Sequence, residues 1–233
     1  MLTSLHRNHV ARVLSSLVSP VASVDESEHR WLPGGLLNPA EPKLGECQDF
    51  LTSEIREKLT SWWLVNRWGA NTPNWDIVST CRVDGGDGLI LVEAKAHDKE
   101  LKPDGKSTGD KENHEQIGAA IREANTALND IYPGWSINRD SHYQLRNRFA
   151  WAWKVASLGV PVILIYLGFL HADEMSARGG PFHSYVDWRA SLLEHGKTLV
   201  PKAGWERRLQ TNGAPLWAMI RSLDLQWVTG GPD

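Results

Sequence analysis

Residues 75–96, WDIVSTCRVDGGDGLILVEAKA, decide how this chain is read. Trp75–Val83 is rich in β-branched residues, DGGDG at 84–88 supplies turn residues, and Leu89–Ala96 forms a return strand, so the stretch predicts a β-hairpin. Side chains alternate along a strand, which puts Leu89, Leu91, Glu93 and Lys95 on one face and Ile90, Val92, Ala94 and Ala96 on the other. Both faces are apolar until Glu93, the pattern of a central strand covered on both sides. An acid and a base two positions apart at the end of such a strand cost desolvation free energy unless something nearby requires them.

Working outward, Leu51, Ile55, Leu59 and Trp62 recur at helical spacing and predict a helix over 46–66. After the hairpin comes a polar insert, HDKELKPDGKSTGDKE at 97–112, whose composition suggests mobility. Asn113, with Gln116 three residues on, reads as the N-cap of a helix whose inner face is Ile117, Ala120, Ile121, Ala124 and Leu128. A further helix runs from Ser141 to a C-terminal stop at Gly159. Its core stripe is Leu145, Phe149, Ala152 and Ala156, with Gln144, Arg148, Trp151 and Val155 alongside. Pro161 then opens an apolar strand over 161–169. Residues 1–22 read as a short amphipathic helix, 23–45 as irregular chain, and 184–196 and 214–222 as two short helices. The order implies an α/β sandwich around a mixed β-sheet flanked by helices. It divides into an N-terminal extension (1–44), a core (45–170) and a helical C-terminal extension (171–233) packed on the core as one domain.

The chain has 233 residues, a 41% hydrophobic fraction and a formal charge of −3, so no global positive field draws it to nucleic acid and any basic surface is local. Two cysteines, Cys47 and Cys81, are too few for a structural zinc site or a secreted disulfide framework, which points to a reduced, cytoplasmic setting. No apolar run approaches membrane-spanning length. Ser15, Ser16, Ser19 and Pro20 interrupt the apolar patch near the N-terminus, which argues against a cleaved signal segment.

Asp76 at the start of one hairpin strand and Glu93 near the end of its partner are brought to the same end of the sheet by antiparallel pairing. Converging carboxylates form a hard oxygen site suited to Mg²⁺, and an ammonium beside them, Lys95, can orient a water or neutralise a phosphate. This order, a helix carrying Glu46, then Asp76, then Glu93-Ala94-Lys95 on the next strand, followed by helix and apolar strand, resembles the PD-(D/E)XK nuclease superfamily. The resemblance covers 45–170. It implies a restriction-endonuclease-like fold and a Mg²⁺-dependent nuclease, with Mn²⁺ as a substitute ion, that hydrolyses phosphodiester bonds of DNA in preference to RNA. Asp76, Glu93 and the backbone of Ala94 would hold the metal, Lys95 would position water, and Glu46 would assist. Some members carry a glutamine at the site, for which Gln144 is the first candidate and Gln116 the second. Gln144 and Arg148 would face substrate. A homodimer is compatible with the family.

Blander readings stand beside these. Glu93 and Lys95 can be a sheet-edge ion pair, Asp76 a turn acceptor, Glu46 a first-turn helix acid and Arg148 a solvated helix residue. His97 reads as a loop residue, and the tryptophans at 151, 153, 188, 205, 217 and 227 as core packing. The competing functions are a catalytically silent nucleic-acid-binding or protein-interaction module on the same fold, and a hydrolase of a small phosphate ester.

Overall fold

The computed structural model describes residues 6–35, 38–68, 70–101, 110–139 and 143–224. In chain order its elements are α1 (Arg7–Val18), β1 (Ala22–Ser23), β2 (Trp31–Leu32), α2 (Ser53–Trp63), β3 (Ile77–Val83), β4 (Gly86–Lys95), α3 (Lys111–Ile131), α4 (Tyr143–Ser157), β5 (Val162–Leu170), α5 (Tyr185–Gly196), β6 (Arg208–Gln210) and β7 (Pro215–Asp224). The hairpin forms as its sequence requires. Val83 pairs with Gly86, which leaves Asp84 and Gly85 as a two-residue turn with φ of 50° and 78°, the backbone that Asp-Gly adopts readily. The turn is tighter than the five-residue DGGDG segment, because Gly86 and Gly88 remain in the strand ladder.

Strands are ordered β1-β3-β4-β5-β7-β6, with β2 also paired to β3. β3 runs antiparallel to β4, β4, β5 and β7 run parallel, and β6 is antiparallel to β7. The result is an α/β structure with a mixed central sheet. The alternation along β4 holds: Ile90 and Val92 join α1 in one apolar cluster, while Leu89 and Leu91 join the cluster containing side chains of α2, α3, α4 and α5. Among the described residues, one helix therefore covers one face of the sheet and four lie on the other. No helix among the described residues is long and apolar enough to cross a membrane.

Several boundaries differ from expectation, each for a local reason. The helix predicted over 46–66 starts only at Ser53, because Thr52 caps it by accepting the Ile55 N–H at 3.3 Å; Glu46 lies in the preceding turns. Asp110 rather than Asn113 caps α3. Asn113 instead accepts N–H groups of Val65 and Asn66 at 2.9 Å and donates to the Asn66 carbonyl, securing the chain leaving α2. The helix expected at 184–196 is α5, with Ser184 as its N-cap. The one expected at 214–222 is strand β7: Pro215–Ile220 are all buried, and pairing with β5 overrides any helical spacing. The C-terminal segment is thus not a helical extension but supplies part of the central sheet, and α1, β1 and β2 from the N-terminal segment pack against it. Half of the polar insert (102–109), the start of the predicted helix at Ser141 and Trp227 lie outside the described residues.

α5 seats against β5 through Trp188, whose ring leaves no space for a side chain at Gly168: a Cβ there would lie 2.4 Å from the indole. Gly168→Ala is expected to lower stability by about 1–3 kcal/mol, read as a lower urea midpoint at unchanged slope. An unchanged midpoint would show that Trp188 does not pack there.

Candidate functional site

The carboxyl-terminal ends of parallel strands are the usual place for a site in an open α/β sheet, and the hairpin acids lie at that end of β4. Glu93 and Lys95 project to the face bearing four helices, where they sit beside Tyr166 and Gly168 of β5 in register. Asp76 immediately precedes β3. Its N–H donates to the Val92 carbonyl at 3.2 Å and its Oδ2 accepts the Ala94 N–H at 2.7 Å, so the carboxylate extends the ladder where the strand pairing stops.

α4 brings in the fourth charge. Its apolar stripe of Leu145, Phe149, Ala152 and Ala156 is buried against the sheet. The Tyr166 hydroxyl donates to the Leu145 carbonyl at 3.1 Å, fixing this helix to β5. Arg148 on the adjacent stripe then reaches Glu93: its Nε donates to Oε2 at 2.5 Å, while Lys95 Nζ donates to Oε1, also at 2.5 Å. The Arg148 guanidinium lies 4.6 Å over the Trp75 ring and donates to Asn147 Oδ1 at 3.0 Å. Glu93 is 2% exposed, Arg148 6% and Lys95 8%, so this is a buried cluster rather than a surface ion pair.

Two acids and two bases balance formally, yet the acids respond in opposite ways. Burial, followed by the neighbouring Glu93 charge, pushes the Asp76 carboxyl up from 3.8 to about 6. Burial would also raise Glu93, but Arg148 and then Lys95 outweigh it and hold Glu93 below the usual carboxylate range. Burial and the Glu93 charge push the Tyr166 hydroxyl well up, so Tyr166 stays neutral. The same field thus keeps Glu93 charged and leaves Asp76 close to titration near neutrality.

Of the residues singled out in the sequence, Asp76, Glu93, Ala94, Lys95 and Arg148 are brought together. Arg148 does so by pairing with Glu93 rather than by facing solvent. Glu46 does not join them: it is exposed and 3.7 Å from Lys43, because the helix expected to carry it starts seven residues later. Gln144 is exposed in the first turn of α4, one turn before Arg148. Gln116 donates to the Trp62 carbonyl at 2.8 Å, a structural tie between α2 and α3. His97 follows β4 as expected but is 6% exposed, with its backbone N–H donating to Glu100. Trp151, Trp153, Trp188, Trp205 and Trp217 are buried in the core. The sequence reading missed Trp75, Asn147 and Tyr166. Tyr166 had a signal, as the one hydrogen-bonding side chain within the strand VILIYLGFL.

Among the described residues no three His, Cys, Asp or Glu side chains gather as a metal-ligand group. An ion of the Mg²⁺ type is commonly held by one or two carboxylates and completed by water. Here both Glu93 oxygens accept from Lys95 and Arg148, and Asp76 Oδ2 accepts from Ala94, so Asp76 and Glu93 would hold such an ion only as those contacts are given up. Comparison with protein-family models, with curated proteins and with solved structures gave no match to this chain.

Because folded Asp76 holds its proton more tightly than the unfolded chain does, its ionisation between pH 3.8 and about 6 removes stability as pH rises. Glu93 acts in the opposite direction, losing its contribution as pH falls. Asp76→Asn, which retains an acceptor for Ala94, isolates the first effect. It is expected to exceed the native protein in stability at pH 7.5 by on the order of 2 kcal/mol, an advantage that vanishes below about pH 4. Urea unfolding at the two pH values checks this; an advantage independent of pH would refute it.

Proposed function

We propose that the chain is a divalent-metal-dependent phosphodiester hydrolase acting on nucleic acid, DNA in preference to RNA. The observation that carries this reading is the placement of Asp76 and Glu93, with Lys95 on Glu93, at the end of a strand buried on both faces. Two neighbouring carboxylates raise each other's cost of ionisation, and a divalent cation between them relieves it. Asp76 and Glu93 would hold Mg²⁺, which when bound supplies Lewis-acid stabilisation of charge on a phosphoryl oxygen. The protein's own groups do the rest. Lys95, released from Glu93, orients the attacking water by its N–H donors and lowers the cost of negative charge near the phosphate. Arg148, released likewise, offers a planar pair of N–H donors to a phosphate oxygen. Asp76 must be ionised to serve as a ligand, which its carboxyl, held at about 6, is at pH 7.5.

A second reading is favoured by a specific observation: both Glu93 oxygens are already occupied, by Arg148 and Lys95, and one Asp76 oxygen is committed to Ala94. Under it the cluster is structural and the chain is a nucleic-acid-binding or protein-interaction module without catalysis.

Cleavage of linear, circular and single-stranded DNA with Mg²⁺ or Mn²⁺, against EDTA, separates the two. Native protein is expected to cleave only with metal. Glu93→Ala and Lys95→Ala are expected to lose about two orders of magnitude or more in rate. Near-normal cleavage by Glu93→Ala would overturn the site. Absence of both metal binding and cleavage in the folded native protein would leave the structural reading.

A further inference from the structure

A cleft of about 360 Å³ opens between α2 and the segments flanking it, with Gly45, Ser53, Arg56, Thr60, Arg67 and Thr72 in its wall. None of the residues of the carboxylate cluster lines it. Its charges are unevenly satisfied. Arg67 spends its guanidinium on Glu57, with contacts at 3.1 and 2.5 Å, and Glu46 is paired with Lys43. Arg56 has no ion-pair or hydrogen-bond partner for its guanidinium among the described residues, and its Nε is buried.

In the same wall, Thr72 is 6% exposed and among the described residues its hydroxyl also has no hydrogen-bond partner. A fully solvated helix arginine would leave all its donors in water, so a buried guanidinium N–H and a buried unpartnered hydroxyl lining one cleft call for an acceptor. Gly45 carries the turn against both threonines, and a Cβ there would lie 2.8 Å from Thr60 Oγ1 and 3.4 Å from Thr72 Oγ1. The Thr60 hydroxyl itself donates to the Arg56 carbonyl at 2.8 Å.

We propose that this cleft binds the phosphate group of a small ligand, with the Arg56 guanidinium and the Thr72 hydroxyl as its principal donors and Ser53 at its rim. A carboxylate would be saturated by the guanidinium alone, whereas hydroxyls added to a planar fork suit an anion with more acceptor oxygens. The wall carries two arginines and two glutamates; among the described residues Glu57 is taken by Arg67 and Glu46 leans to Lys43, which leaves the Arg56 guanidinium as the wall cation with uncommitted donors. The site is independent of the hydrolase reading and stands or falls separately.

Titration of the full chain in EDTA, by calorimetry and by thermal unfolding, tests it with three probes: inorganic phosphate, a nucleoside 5′-monophosphate and the corresponding nucleoside. Saturable binding of either phosphate probe, with none for the nucleoside, is expected; tighter binding of the monophosphate would identify an organic phosphate as the source, and equal binding free phosphate. Arg56→Gln and Thr72→Val, checked for native near-UV circular dichroism, are each expected to weaken binding by about tenfold or more. Lys95→Ala is expected to bind as the native protein does. Three results would overturn the proposal: no saturable binding up to about 10 mM, which leaves water as the occupant; binding unchanged in both cleft variants; or binding lost in Lys95→Ala, which would assign the phosphate to the carboxylate cluster.

Discussion

A single carboxylate, Glu93, sets the terms for this structure. It lies almost wholly out of water at the end of a central strand, and a charge in that position persists only where opposite charge and hydrogen bonds reach it. Lys95 does so from the same strand, two residues on; Arg148 does so from a helix 55 residues away. The second contact fixes the rotation of α4, since a quarter-turn of that helix would remove Arg148 and expose its apolar stripe. The Tyr166 hydroxyl on the Leu145 carbonyl and the Trp75 ring beneath the guanidinium hold the same arrangement from other sides. Packing and electrostatics therefore specify one another.

The cluster also explains why Asp76 behaves unlike Glu93 although both are carboxylates at one edge. Glu93 takes both cations directly, while Asp76 is left with one backbone N–H and a like charge for a neighbour. In the hydrolase reading this inequality has a use. Glu93 provides a permanently charged position, Asp76 one whose charge is easily compensated by an added cation, and Lys95 and Arg148 become available as that compensation takes over.

Much of this was legible in the sequence because the relevant patterns are local. The alternation of Leu89 to Ala96 placed Glu93 and Lys95 on one face, and Asp84-Gly85 fixed the hairpin that carries Asp76 to them. Arg148 was identifiable as belonging to the stripe beside the core face of its helix, but its partner was not, because the pairing depends on how α4 crosses β4. The failures are of the same kind. Glu46 was assigned to a helix that Thr52 caps later, a choice between two start sites that differ by little in local preference. Residues 214–222 were read as a helix because the decisive influence, the open edge of β5, lies some fifty residues back in the chain. The cleft at Arg56 had no sequence signature at all, since its two unsatisfied groups come from separate segments.

The position of β7 bears on how the chain reaches this state. β5, an uncharged run of nine residues, has β4 on one side and on the other β7, which follows it in the chain only after α5 and β6. Until residues 215–224 dock, a long apolar edge presents its backbone donors and acceptors to any other extended chain, which is the condition under which strands from different molecules join. The pairing that completes the sheet is thus also the one that closes this edge to other extended chains.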